Sequence, residues 1–310
     1  MFAHTTVLQQ ETVMSVFQDP NGVYVDMTLG GGGHSVCLVQ HLSAQGRLVG
    51  IDRDVAALTA AKARLEGAVC QVDYAESNYS DLPQVLQQLG IERVDGIIFD
   101  LGVSSYQLDT AERGFSYQHD GRLDMRMDRR QTLSAYDVVN TYTESELADV
   151  IQKYGEERWA KRIGNYIVKA RSRRPIETTS ELVSVIKDAI PAGARRQGPH
   201  PAKRTFQALR IEVNGELRDL ERSIRQAVEA LRVGGRIAII SFHSLEDRIV
   251  KQVFRELATG CICPPTFPVC TCCHKPTLTV LGKARKASAE EIEKNPRARS
   301  AMLRVAEKVS

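Results

Sequence analysis

The chain has 310 residues, 43% of them apolar and 25% charged, which suits a folded protein with a sizeable core and about two domains. No stretch approaches the ~18 uninterrupted apolar residues of a membrane span, and the opening Met1-Phe2-Ala3-His4-Thr5-Thr6 lacks a basic stretch followed by an apolar run. Neither a span nor a secretory signal is therefore expected. Seven cysteines, an odd number with no such signal, point to the reducing cytoplasm rather than to a disulfide framework. The net charge of +3 is too small to announce a polyanionic partner, but it is unevenly spread. Lys153 to Arg210 carries 14 Lys/Arg against five Asp/Glu, an excess of +9, and leaves −6 on the remainder. The clusters Lys169-Ala170-Arg171-Ser172-Arg173-Arg174, Arg195-Arg196 and Lys203-Arg204 follow closely on one another. One such cluster is usually a solvated helix face, whereas several together suit phosphate neutralisation.

Along the chain, strand and helix signals first alternate. Residues 23–27 read as a buried strand running into Gly30-Gly31-Gly32-Gly33, with a helix expected over 34–42. A strand at 47–52, an Ala-rich helix at 55–65, a strand at 69–72 and a strand at 94–101 follow. The alternation predicts βαβ units and a parallel sheet. From about Thr110 only helices are expected. Thr143 with Glu146 and Thr178 with Glu181 form capping-box patterns ahead of apolar residues at helical spacing, and Trp159, Ile163, Tyr166 and Ala170 mark a further helix. Residues 197–201 read as a linker. The apolar series from Phe206 to Leu231 then predicts one long amphipathic helix closed by Gly234-Gly235. A buried strand at 236–242, a helix at 244–257 and an antiparallel hairpin of 278–281 with 302–305 complete the chain. The expected organisation is a discontinuous α/β core, 1–109 with 204–310, interrupted by an all-helical domain at 110–203.

A Gly-rich turn after the first strand, with Asp52 22 residues beyond Gly30, is the general device for an adenosine-containing cofactor. The glycines admit close backbone approach, and Asp52 can accept from both ribose hydroxyls. The dinucleotide fingerprint needs Gly or Ala five residues after its first Gly, and Ser35 or Val36 stands there. A pyrophosphate at this helix start is thus disfavoured. Asp26, just before the glycines, suits a cationic ligand portion. S-adenosylmethionine, which has an amino group, a sulfonium and no phosphate, fits better than a nicotinamide dinucleotide.

With Asp100-Leu101-Gly102-Val103-Ser104-Ser105 added, the chain resembles the bacterial family of ribosomal RNA small-subunit cytosine-N4 methyltransferases, the MraW or RsmH type. Further blocks carry the resemblance: His4-Thr5-Thr6-Val7-Leu8, Asp26-Met27-Thr28-Leu29-Gly30-Gly31-Gly32-Gly33-His34-Ser35, Ala111-Glu112-Arg113-Gly114-Phe115-Ser116 and Leu123-Asp124-Met125-Arg126-Met127-Asp128. Others are Arg204-Thr205-Phe206-Gln207-Ala208-Leu209-Arg210, Ser241-Phe242-His243-Ser244-Leu245-Glu246-Asp247-Arg248 and Asn295-Pro296-Arg297-Ala298-Arg299-Ser300. The resemblance implies a class I S-adenosylmethionine-dependent methyltransferase, with a Rossmann-like doubly wound sheet and an inserted helical domain that helps grip RNA. It implies methylation of the exocyclic N4 of a cytosine in the decoding region of small-subunit ribosomal RNA, with the ribosomal subunit as expected partner and the choice between free RNA and an assembled subunit left open. Carried over by position, the cofactor contacts fall on Gly32, Gly33, His34, Asp52, Tyr79, Asp100 and Gln107. Leu29, Gly31 and Tyr106 depart mildly from the family pattern and touch backbone shape more than ligand chemistry.

An exocyclic cytosine amine is a poor nucleophile, because its lone pair is delocalised into the ring. A hydrogen-bond acceptor for its N–H, together with alignment on the methyl, answers that difficulty. Asp100, near the end of the fourth strand, is the candidate acceptor. The aromatic usually found just after such an acid is absent, so Phe115 or Tyr106 is the candidate for stacking on the cytosine; simple packing is the alternative. His34 is expected to contribute backbone rather than acid–base chemistry. His243 is open between a place near substrate and a structural hydrogen bond. Asp109, Asp120 and Asp124 are expected to pair with Arg113 and Arg126, and Arg204 and Arg210 are candidates for phosphate. Cys261, Cys263, Cys270 and Cys273 are candidate zinc ligands, the alternative being a reduced thiol-rich loop. Two rival functions, a nicotinamide oxidoreductase and a non-catalytic RNA-binding protein, leave the glycine motif or the Gly30–Asp52–Asp100 set unexplained. No feature of the sequence assigns an oligomeric state.

Overall fold

The computed structural model describes residues 6–196, 200–264, 269, 271, 272 and 274–310. His4, Thr5 and residues 197–199 of the expected linker lie outside the described residues. The chain divides into two compact units, Met1–Gly102 with Leu217–Ser310, and Val103–Glu216. Among the described residues, no helix is long and apolar enough to cross a membrane.

The first unit is built on one sheet. Its strands are β1 (Val23–Asp26), β2 (Arg47–Asp52), β3 (Gln71–Glu76), β4 (Val94–Asp100), β5 (Leu231–Ser241), β6 (Leu278–Val280), β7 (Arg285–Lys286) and β8 (Met302–Lys308). They run in the order β3-β2-β1-β4-β5-β8-β6, with β7 also on β8. The first five strands pair in parallel and β8 lies antiparallel to β5. Period-two alternation distributes the side chains between two faces. Val25, Val49, Ile51, Ile97, Phe99, Ile237 and Ile239 share one buried cluster, while Tyr24, Leu48, Ile98, Ala238 and Ile240 share the other.

Helices α1 (Gln9–Val16), α2 (Gly33–Val39) and α3 (Val55–Arg64) supply the second cluster, and α4 (Leu82–Gln88) the first. Asp54 starts α3 by accepting from the Ala56 amide at 3.1 Å. Two expected elements differ in extent. The third strand covers 71–76 rather than 69–72, because Val69 is exposed and the chain pairs with β2 only from Gln71 on. Helix α2 ends three residues short of Leu42.

The second unit is helical: α5 (Ser105–Asp109), α6 (Ala135–Thr141), α7 (Glu144–Gly155), α8 (Ala160–Arg171), α9 (Thr179–Ala189), α10 (Ala192–Arg195) and α11 (Lys203–Asn214). Capping boxes form at Thr143 and Thr178 as the sequence predicts, and a further one at Ser134 starts α6. Leu147, Ile151, Ile163, Ile167, Leu182 and Ile186 pack in one core with Phe206, Leu209 and Val213 of α11.

That packing corrects the expected boundaries. The helix beginning at 203 belongs to the helical unit rather than to the α/β core, and so does α5. The predicted long helix over 206–231 is in fact two, α11 and α12 (Leu220–Ala230). Gly215 stops α11 in the left-handed region, at φ 59°. Gly234 and Gly235 lie inside β5 rather than closing a helix. Helix α13 (Ser244–Leu257) follows β5, and α14 (Ala289–Lys294) precedes β8. Strands β6 and β8 are antiparallel as expected, but β6 pairs with 306–308 rather than 302–305, which pairs with β5.

Candidate active site

The order of the sheet reverses between β1 and β4, and a ligand crevice opens beyond the carboxyl ends of strands at such a point. Three carboxylates end strands there: Asp26 on β1, Asp52 on β2 and Asp100 on β4. Asp26 is 1% exposed and accepts from the Ser35 hydroxyl at 2.7 Å and the Thr28 amide at 3.2 Å. Burial pushes its carboxyl up to about 6 despite those two donors. Asp52 accepts from the Gly30 amide at 2.7 Å on one oxygen and the Asp54 amide at 2.8 Å on the other. Burial raises this carboxyl too. Each Asp52 oxygen retains a lone pair for a further donor.

Asp100 is held by its backbone, whose amide donates to Thr28 Oγ1 at 2.6 Å. Its side chain is 28% exposed, yet Oδ1 is buried and has no hydrogen-bond partner among the described residues. Burial, then the carboxylates of Asp26 and Glu246, hold Asp100 well above the ordinary carboxylate range. Glu246 is itself 2% exposed and accepts from the Phe242 amide at 2.8 Å. The His34 ring stands 3.6 Å from Asp100 Oδ2 through Nδ1. Burial pushes His34 down to about 4, so the imidazole is neutral at pH 7 and the contact is no ion pair. Its Nε2 donates to the Val7 carbonyl at 3.1 Å, which leaves Nδ1 as the lone-pair nitrogen.

The glycine loop is tightly fitted. Gly32 sits at φ 75° immediately before α2. A Cβ on Gly33 would stand 1.9 Å from Thr6 Oγ1. The Gln9 side-chain amide donates to the Gly33 carbonyl at 2.6 Å. Residues 6–9 thus clasp the loop and His34 together. The resemblance singles out the blocks containing Thr6 and Val7, Thr28 and Ser35, and Glu246, though without giving these side chains a role; Gln9 lies outside all of them. Glu246 also carries a local signal, as the acid three residues after His243 in a capping pattern. Tyr79 follows β3, with its ring edge-on to Phe99 at 6.0 Å between centroids.

Gln107 and Phe115 belong to the second unit. Gln107 is buried and its Oε1 accepts from the Ser104 amide at 3.1 Å, completing the capping box of α5. Phe115 is 5% exposed among Leu123, Met125 and Met127, with the Arg113 guanidinium 5.8 Å from its ring. Phe115 takes the packing alternative in this structure, where a ring so covered offers no face to a nucleobase. Arg113 donates to the carbonyls of Arg126 and Met127, and Asp124 takes Arg126 in a two-pronged pair at 2.7 and 2.9 Å. Arg210 is corrected as a phosphate contact, for it makes a two-pronged pair with the buried Glu216, both bonds 2.9 Å. His243, in the first unit, takes the structural reading: it caps α13, its Nδ1 accepting from the Glu246 amide at 3.3 Å.

The helical unit presents an exposed basic set, Lys153, Arg158, Lys161, Arg162, Lys169 and Arg173. Four of these cations lie over half-exposed aromatic rings. Lys153 covers Tyr154 at 4.9 Å, Arg158 covers Trp159 at 5.1 Å, and Arg162 and Lys169 flank Tyr166 at 5.3 and 6.0 Å. Of the candidate zinc ligands, Cys270 and Cys273 lie outside the described residues. Cys261 and Cys263 come together with Cys272, which the sequence reading left out.

The profile of the MraW methylase family matches residues 1–309. A ribosomal RNA small subunit methyltransferase H of Clostridioides difficile is 53% identical over 309 residues, covering 99% of each chain. A protein of the same name from Halothermothrix orenii is 51% identical, covering 100% of this chain and 99% of its own. The parallel sheet with its antiparallel β8 is the class I S-adenosylmethionine-dependent methyltransferase fold, and the chain belongs to the MraW methylase family.

Proposed function

We propose that the chain methylates the exocyclic N4 of a cytosine in the decoding region of small-subunit ribosomal RNA, within the ribosomal subunit and in the cytoplasm, with S-adenosylmethionine as donor. One observation carries the cofactor reading. Asp26, Asp52 and Asp100 meet amides, hydroxyls and a neutral imidazole in the contacts described above, and burial raises all three carboxyls. Buried carboxylates so placed suit a cationic ligand and repel a pyrophosphate. The buried Asp100 Oδ1, without a hydrogen-bond partner among the described residues, fits the same ligand class.

Bound S-adenosylmethionine supplies a methyl on a sulfonium whose charge disappears as the methyl leaves. Asp52 offers a lone pair on each oxygen to the two ribose hydroxyls. Asp26 offers a carboxylate to an amino group, and the glycine loop excludes side chains that would block the approach. Asp100 offers an acceptor to an N–H of the cytosine amine, which localises the nitrogen lone pair. With the methyl donor bound, the nitrogen would bond to the methyl carbon while the C–S electrons stay on sulfur, and the surplus N–H proton would pass to solvent. A strong base is unnecessary, because the positive charge moves from sulfur to nitrogen and makes the remaining N–H acidic. The basic, aromatic-covered helical unit supports RNA as substrate, since phosphates meet cations and unstacked bases meet rings. Its exposed cations are the residues that would hold that RNA.

Incubation with radiolabelled S-adenosylmethionine and either free small-subunit RNA or isolated subunits tests the reading, with digestion to nucleosides. N4-methylcytidine is the expected product. No labelled nucleoside in any assembly state would overturn it, and another labelled nucleoside would reassign the base. The same assay separates the two rival functions, since neither an oxidoreductase nor a simple RNA binder transfers label.

A further inference from the structure

The segment between α13 and β6 makes an excursion of the first unit in which none of the described residues from 258 to 277 is buried. Ile262 and Val269 are 63% and 71% exposed, so among the described residues apolar packing does not hold this excursion. Its base is closed by the Thr277 amide, which donates to the Leu257 carbonyl at 2.8 Å, and by His274 Nδ1, 2.9 Å from the Gly260 carbonyl. Beyond that base, sulfur organises it. The Sγ atoms of Cys261, Cys263 and Cys272 all lie within 4.8 Å of one another. Cys261 and Cys272 are 3.9 Å apart, far longer than a disulfide bond of about 2.05 Å. Zinc–sulfur bonds of about 2.3 Å at tetrahedral angles place neighbouring sulfurs about 3.8 Å apart, close to that spacing.

The backbone is arranged for thiolates as well. The Ile262 amide donates to Cys272 Sγ at 3.5 Å, and the Thr271 amide donates to Cys263 Sγ at 3.4 Å. Each side of the excursion therefore sends an amide to a sulfur on the other. Amide donors favour sulfur in its charged form, which is the form that binds metal. We infer that Cys261, Cys263 and Cys272 are three ligands of a single zinc ion. The ion staples an excursion too poorly buried to fix itself, as in other small metal-held segments. On binding, each thiol gives its proton to solvent and its sulfur donates an electron pair to the metal, with no change of oxidation state. The site is structural rather than part of the methyl-transfer machinery.

Elemental analysis of the full chain, expressed with added zinc and purified under reducing conditions without chelator, tests this directly. About one zinc per chain is expected, and less than about a tenth would overturn the assignment. Cobalt added to the metal-free chain should give the intense visible bands and sulfur-to-metal charge transfer of a tetrahedral thiolate site. The pale spectrum of six-coordinate cobalt would overturn it. Cys263→Ser and Cys272→Ser should each lose most of the zinc while keeping the circular dichroism of the folded chain, whereas Cys70→Ser should retain it. Equal zinc loss in Cys70→Ser, or a Cys261–Cys272 disulfide in the reduced preparation, would refute the proposal. The wild-type measurements decide the question even if a variant fails to fold.

Discussion

The two units treat charge in opposite ways. In the first, acids are drawn inside: Asp26 and Glu246 are almost wholly buried, and their fields add to the burial that raises Asp100. In the second, exposed cations are spread over aromatic faces, while Arg210 and Arg126 are tied into carboxylate pairs. Buried like charges create a strong local preference for a cation, and exposed cations create a broad, salt-screened attraction for polyanions. Selectivity for a small ligand and breadth toward a large one thus come from charged side chains of opposite sign at different depths. A net charge of +3 conceals both.

The largest test of this contrast is Asp100→Ala. It should lower turnover by about 100-fold or more, with the fold intact by circular dichroism. Unchanged turnover would remove Asp100 from the chemistry and leave the buried acids with binding alone. Next is Arg210→Ala, which should cost about 3 kcal/mol in chemical denaturation, since it strands Glu216 as a buried charge. If it instead weakened RNA binding with stability unchanged, the division between paired and exposed cations would fail.

The acid side of the contrast also predicts a pH dependence. Without a cation nearby, the Asp26 carboxyl sits at about 6, so below that value it is protonated. A bound amino group favours the ionised form, and binding then expels a proton. Affinity for S-adenosylmethionine, measured calorimetrically, should therefore fall as pH drops through about 6, by at most about tenfold per unit for that one proton. Asp26→Asn should bind more weakly at neutral pH and lose that part of the slope.

The smallest expected effect belongs to the exposed cations. Arg162→Ala with Lys169→Ala should weaken RNA binding and reduce the salt slope by about two, leaving S-adenosylmethionine affinity unchanged. An unchanged slope would move the RNA contact off this face.

Much of the fold was legible because its signals are local. The strand-then-acid pattern at Asp52 and Asp100, the glycine run and the Thr143 and Thr178 boxes depend on neighbours within a few residues. Local signals mislead where the same signal serves two structures. An apolar series at helical spacing from 206 to 231 does not show that Gly215 breaks it, with each part joining a different core. Along the chain Phe115 reads as either a stacking or a packed ring and Arg210 as a phosphate contact, and only packing and Glu216 separate these readings.

From the sequence by itself follow the alternating α/β order, the helical interruption, the cofactor loop with its acids and the segregation of basic charge. These rest on periodicity, cap chemistry and composition, which act over one or two turns of chain. Only the tertiary structure decided that the units part at Gly102 and Glu216 and that Thr6, Val7 and Gln9 clasp the loop. It alone put Cys272 beside Cys261 and Cys263, and Asp26 and Glu246 within electrostatic reach of Asp100. Burial and through-space fields sum over groups that chain connectivity keeps far apart, so no reading along the chain contains them.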